Sequence, residues 1–218
     1  MAKRPYRMTK RASARDETRE RIIRATMTLH DELGVATTSY SAIAERAGVG
    51  AATIYRNFPT LDDLVAACGV HVWHDMRPPM PQEAAGLFKG LPTRGERLER
   101  LVRELDAFYR RGEPRLIRAA QDRDRVVGLD MFLKHVAGGI EAWTREALTG
   151  SPEAEVQSVL ALTDFGVWLS LKRLSLPKAE LIRLMLRLVD CALAGAEGAT
   201  GRSDLRYGPR YSWNSSSG

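Results

Sequence analysis

The sequence predicts an all-α chain in which a small N-terminal three-helix unit precedes a larger helical body. Three observations predict it. Apolar residues recur at helical spacing along most of the chain, without the alternation that marks strands. Glycine and proline divide these stretches into helix-length pieces. Positive charge is concentrated at one end, with 11 Lys/Arg against 6 Asp/Glu in residues 1–60 and 22 against 21 in the remainder.

Composition narrows the class. With 44% hydrophobic and 28% charged residues over 218 positions, the chain suits a globular fold and neither a fibrous nor a fully disordered one. No apolar run approaches the roughly 20 residues of a membrane-spanning helix, and the polar N-terminus lacks the apolar centre of a secretory signal. Cys68 and Cys191 are far apart, lie among apolar residues and form no C-x-x-C pair, so both read as buried thiols and the expected compartment is the reducing cytoplasm. A basic end on an otherwise balanced chain points to a polyanion, either nucleic acid or an anionic membrane surface.

Taken in order, Lys3, Arg4, Arg7, Lys10 and Arg11 alternate with small or polar residues and show no apolar period, so residues 1–14 are expected as a flexible basic arm. A first helix then begins near Arg15. Ile22, Ile23, Ala25, Thr26, Leu29 and Leu33 give it one face, and Gly34 ends it. Thr38 or Ser39 caps a short second helix carrying Ile43, Ala44 and Ala47, and Gly48 stops it. A third short helix runs from Ala51 or Ala52 to Phe58. Pro59, Thr60 and Asp62 mark the start of a fourth, which carries Leu61, Leu64, Val65, Cys68, Val72 and Met76. The prolines of "RPPMP", residues 77–81, break that helix and are expected to form a boundary or hinge.

Beyond the prolines, Leu98, Leu101, Val102, Leu105, Phe108 and Tyr109 repeat at helical spacing. Further helices are expected over residues 116–123, 126–148, 153–174 and 178–194, with breaks at Gly112–Pro114, Gly150–Pro152 and Pro177. The tail from Gly195, rich in Gly, Ser and Arg, is expected to be largely disordered. The resulting division is 1–14 arm, 15–60 three-helix unit, 61–80 connecting helix, 81–195 body and 196–218 tail.

The stretch "IAERAGVGAATIYRNF", residues 43–58, has the residue sizes of a helix-turn-helix. Ala44 permits a close helix crossing, Gly48 can take the positive φ of the turn, and Val49 and Ile54 wedge beneath the second helix. That second helix would present Gly50, Ala51, Ala52 and Thr53 at its N-terminal end. Small groups there permit close approach to a DNA major groove, and Arg56 and Asn57 have the hydrogen-bonding groups that suit guanine and adenine.

Residues 38–64, "TTSYSAIAERAGVGAATIYRNFPTLDDL", resemble the N-terminal DNA-binding domain of the TetR family of bacterial transcriptional regulators. Thr38, Ser39, Ile43, Ala44, Ala47, Gly48, Val49, Thr53, Tyr55, Phe58 and Leu64 stand in register with its pattern. Three positions depart from it. Gly50 replaces a serine cap, Ala52 replaces a glycine on the DNA-facing surface, and Leu61 stands where a lysine usually meets phosphate. The resemblance implies a helix-turn-helix DNA-binding domain that uses Thr38, Ser39, Gly50, Ala51, Ala52, Thr53, Tyr55, Arg56 and Asn57. The basic residues Lys3, Arg4, Arg7, Lys10 and Arg11 would reach the adjacent minor groove, unless they are only a solvated charge run.

The resemblance also implies a C-terminal helical domain for effector binding and dimerisation. It implies a homodimeric repressor on a double-stranded, near-palindromic DNA operator, released by a small and hydrophobic effector. The apolar second faces in residues 155–174 and 178–195 suit a four-helix dimer contact. Phe88, Phe108, Met131, Phe132, Trp143, Phe165 and Trp168 are candidates for the wall of an apolar pocket or for plain core. His135, Asp130 and Arg118 are candidate polar contacts, and Trp73 or Met76 could relay ligand binding to the head.

His71 and His74 share a helix face, but no cysteine or carboxylate is suitably spaced to join them in a metal site, so neither a metal nor a cofactor is expected. No hydrolase, zincin or phosphate-loop motif is present, and no enzyme is expected. A helical enzyme, and a protein binding nucleic acid or a membrane surface nonspecifically through the arm, remain the competing classes.

Overall fold

The chain is described here from a computed structural model covering residues 4–199, with side chains described over residues 13–195. Among the described residues there is helix and no strand. The elements are α1 (Arg4–Leu33), α2 (Tyr40–Ala47), α3 (Ala51–Asn57), α4 (Leu61–Met76), a 3₁₀ turn (Pro81–Glu83), α5 (Ala84–Leu87), α6 (Arg94–Asp122), α7 (Val127–Ala147), α8 (Glu153–Leu162), α9 (Phe165–Lys172) and α10 (Lys178–Ala199).

Two hydrophobic cores organise them. The head core holds Ile22, Ile23 and Leu29 of α1, Ile43, Ala44 and Ala47 of α2, Ile54 and Phe58, and Leu64 and Cys68 of α4. The body core is larger, built on Leu98, Leu101, Leu105, Phe108 and Tyr109 of α6 against Trp143, Trp168, Met185 and Val189. α4 belongs to both, since its first half packs in the head and Met76 at its end is fully buried in the body.

The head is capped locally. The Ser39 hydroxyl accepts the Ala42 amide at 3.2 Å to start α2, and Gly48 ends it at φ 63°, where a side chain would be strained. Thr60 starts α4 through a capping box, its hydroxyl accepting the Asp63 amide while the Asp63 carboxylate accepts the Thr60 amide.

Six expectations are corrected. The first helix begins at Arg4 rather than near Arg15, so residues 4–14 are helix and not a flexible arm. Pro5 lies within the first turn, where its missing N–H costs nothing, and no glycine or further proline interrupts the chain before Gly34. α6 runs through Gly112 and Pro114 without a break. Gly112 is a contact rather than a stop, because a Cβ there would overlap the Met76 methyl of α4. Conversely, the single helix expected over 153–174 is two, since Asp164 caps α9 by accepting the Gly166 amide at 2.7 Å and buried Tyr109 donates to the freed Thr163 carbonyl at 2.9 Å.

The "RPPMP" segment is a fixed joint rather than a hinge. Pro78 and Pro79 are buried, the Trp143 indole donates to the Met80 carbonyl at 2.9 Å, and Arg111 donates to the Met76 carbonyl at 3.1 Å. Finally, α10 extends to Ala199, beyond the expected end at 194, and Cys191 is exposed because it lies off the helix's core-facing side. Lys3 and the tail beyond residue 199 lie outside the described residues, as do the side chains of Arg4, Arg7, Lys10 and Arg11.

Candidate functional site

The head presents α3 outward. Ile54 and Phe58 are fully buried beneath it, so geometry places Ala51, Ala52, Tyr55 and Arg56 on its exposed side. Gly50 is the N-cap, in extended backbone and without a side-chain cap, which leaves the first amides of α3 unblocked. Thr53 is half-buried. Tyr55, 54% exposed, meets Tyr40 edge to face with ring centroids 4.9 Å apart. Burial, followed by Tyr55 and the carboxylates of Asp63 and Asp62, raises the Tyr40 phenol above its ordinary pKa.

α3 is fastened at its C-terminal end. The Arg19 guanidinium lies 4.2 Å from the Phe58 ring centroid and donates to the Asn57 carbonyl at 3.0 Å. The Asn57 side-chain amide donates to the Thr53 carbonyl at 2.8 Å, so Asn57 closes its own helix, unlike exposed Arg56 beside it. Of the two candidate caps of α2, Ser39 fills the role, while the Thr38 hydroxyl donates to the Gly34 carbonyl at 2.7 Å.

The body separates the apolar candidates. Met76, Phe108 and Trp168 are at most 1% exposed and Trp143 is 6% exposed, all four within the core. The Trp168 indole donates to the buried Asp106 carboxylate at 3.0 Å, and Phe165 stacks on the Trp168 ring at 5.8 Å. These five residues pack the fold and do not line the main cavity. That cavity, of about 500 Å³, is bounded instead by α1, α4, α6 and the start of α7, and of the candidates Trp73, Met131, Phe132 and Arg118 line it. His135 lies at a second, shallower recess of about 310 Å³ that shares Trp73.

The residues that reading the sequence missed are on the head side of the cavity. Met27, His30, Asp31 and Val35 form that wall. Burial lowers the His30 pKa to about 4, against the opposing pull of Asp122, so the ring is neutral near pH 7. A histidine on the apolar side of a helix, one residue after Leu29, was the available signal. Asp122 was equally unmarked, yet its carboxylate accepts the Val35 amide at 2.8 Å and the Ala36 amide at 3.1 Å, 87 and 86 residues away.

Residues 22–68, from the middle of α1 to the middle of α4, match the family model for bacterial regulatory proteins of the tetR family. The head is similar to the DNA-binding domain of that family. Two solved structures share the fold over most of the chain. One is the multidrug binding protein EbrR complexed with imidazole, 22% identical over 79% of this chain and 89% of that one, with a TM-score of 0.53. The other, from Mesorhizobium loti MAFF303099 and assigned to the TetR-family transcriptional regulators, is 19% identical over 83% of this chain and 97% of that one, with a TM-score of 0.54. No curated protein sequence matches the chain. Among the described residues, no helix is long and apolar enough to cross a membrane.

Proposed function

We propose that this TetR-family regulator is a homodimeric repressor that binds a near-palindromic operator through α3 and is released by a small hydrophobic molecule held in its helical body. The observation that carries the reading is the outward face of α3. Its N-terminal amides and small residues are open, and its apolar side is locked onto α1 and α2. Arg56 is the base-reading candidate, Ala51, Ala52 and Thr53 permit close approach to the groove, and Tyr55 and Ser39 stand toward the phosphates. The basic residues before Arg15 add phosphate contacts from the first turns of α1.

Dimerisation is supported by α10. Its core face carries Ile182, Met185 and Val189, while Leu184 and Leu188 make a second, half-exposed apolar row with Cys191. A row of this kind suits an isologous helix contact. The multidrug binding function of EbrR supports the effector half of the reading.

Selection of bound sequences from random DNA, with subunit number measured in the same buffer, tests the reading. A palindrome bound by dimers is expected, and Arg56→Ala should weaken specific binding by about 1–3 kcal/mol. Binding without sequence preference would favour a nonspecific polyanion binder, and deleting residues 2–11 should lower the salt slope of binding in either case.

A further inference from the structure

The 500 Å³ cavity lies at the joint between head and body, not inside either core. Its head wall is the last two turns of α1 and the loop that follows, with Met27, His30 and Val35 inward; Val72 and Trp73 of α4 and Phe132 of α7 face them. At its rim, Val127 and Met131 are 74% and 54% exposed, an apolar entrance that the protein leaves uncovered.

The polar groups of the wall are few and balanced. Asp31 and Asp62 carry negative charge, Arg115 and Arg118 positive. Arg115 pairs with Asp31 at 3.5 Å and Asp75 at 3.2 Å, and Arg118 donates to the Glu32 carbonyl at 3.0 Å. An ionic ligand would have to displace these partners or enter unpaired, which burial penalises. One nitrogen of a wall residue is unsatisfied: His30 Nε2 is closed off with no hydrogen-bond partner, and a ligand group meets it only when the ring turns into the cavity. A ring nitrogen of neutral histidine either donates or accepts, and a hydroxyl satisfies both cases.

We propose that this joint cavity is the effector site, that its ligand is an uncharged apolar molecule bearing one hydroxyl-type group, and that His30 Nε2 is that group's partner. The inference rests on the effector-responsive reading above and deepens it. Because one wall is the head itself, the ligand bears on α1 and its loop directly, without a relay through α4. The loop is held against α6 by Asp122, so a ligand that favours one seating of this wall selects one orientation of the head.

The test needs no DNA. The full chain is titrated calorimetrically with 1-naphthol, naphthalene and 1-naphthoate. 1-Naphthol should bind about three- to tenfold tighter than naphthalene, the size of one neutral hydrogen bond. His30→Leu should bring that ratio near one, and His30→Gln should retain part of it. Ala66→Phe, at an exposed position on the cavity wall, should abolish binding of both with the melting temperature preserved. Amide exchange should slow over residues 27–36 when 1-naphthol binds.

Absence of 1-naphthol binding, a tighter naphthoate complex, unaltered binding in Ala66→Phe, or protection confined to α7 would each overturn the proposal. An operator recovered alongside any of these would leave the regulatory reading standing. Naphthol binding as described, with no operator, would sink that reading and keep the site.

Discussion

In the head, helix ends are set by close neighbours in sequence: Ser39 by Ala42, Gly48 by Ala44 and Glu45, Thr60 by Asp63. In the body, Thr93 and Asp164 start α6 and α9 in the same local way, but other ends and breaks are held from far away. Tyr109 donates to the Thr163 carbonyl across 54 residues, Trp143 to that of Met80 across 63, and Arg97 to that of Ala147 across 50. The head therefore rests more on short-range chemistry and the body more on packing that forms only when distant segments meet. The two cores should accordingly respond separately to injury.

Phe58→Ala breaks that comparison most severely. The ring is fully buried under α3 and covered by Arg19, and its loss should cost about 3–5 kcal/mol. Native-state hydrogen exchange should rise across α2 and α3 while α6 keeps its protection. An equal rise in α6 would mean that head and body unfold as one unit.

The same division decides what the sequence discloses. The caps, the Gly48 turn and the apolar wedge of the head are local signals, and α2, α3 and α4 fall within a residue or so of where they are expected. Gly112 and Pro114 look like a break in sequence, but whether a glycine ends a helix or seats a neighbouring one depends on Met76, 36 positions away. Likewise, the break at Thr163 and Asp164 combines a local cap, Asp164 on the Gly166 amide, with a distant one, since Tyr109 donates to the Thr163 carbonyl. Aromatic residues at helical spacing could not be divided into wall and core, since that turns on which helices meet. His30 and Asp122 became visible as a pair only once α1 and α6 were adjacent.

Acid should probe the joint next. His30 has a folded pKa lowered to about 4 from an ordinary 6.5, so the unfolded chain binds its proton first as pH falls. Stability is complete above pH 6.5, declines between about 6.5 and 4, and is constant below for this group, a loss of at most about 3 kcal/mol. Denaturant midpoints at pH 7 and pH 5 measure it. His30→Gln should flatten that interval, and an unchanged slope would assign it to other groups.

Asp122→Ala tests whether the joint is a bond or a spacer. Its carboxylate takes two amides of the loop after α1, and their exposure in a half-buried setting should cost about 1–3 kcal/mol. Asp122→Asn, which keeps one acceptor oxygen, should recover part of that. Stability equal to wild type in the alanine variant would show that the two cores hold the joint without this carboxylate.

Arg77 supplies the smallest effect and the finest comparison, because it ends the one helix that both cores share. It caps α4 at φ 46°, a left-handed conformation that glycine adopts freely and an arginine does not. Its amide still closes α4 on the Trp73 carbonyl and its carbonyl accepts from Arg111, so the backbone there is held by contacts on both sides. Arg77→Gly removes the steric cost but frees the unfolded chain, and the two terms nearly offset, leaving a gain of about 0.5–1 kcal/mol. A stability raised by that amount in denaturant titration would place stored strain at the point where α4 passes from α1 to α6. A fall would mean that the Arg77 side chain contributes more to this passage than its backbone costs.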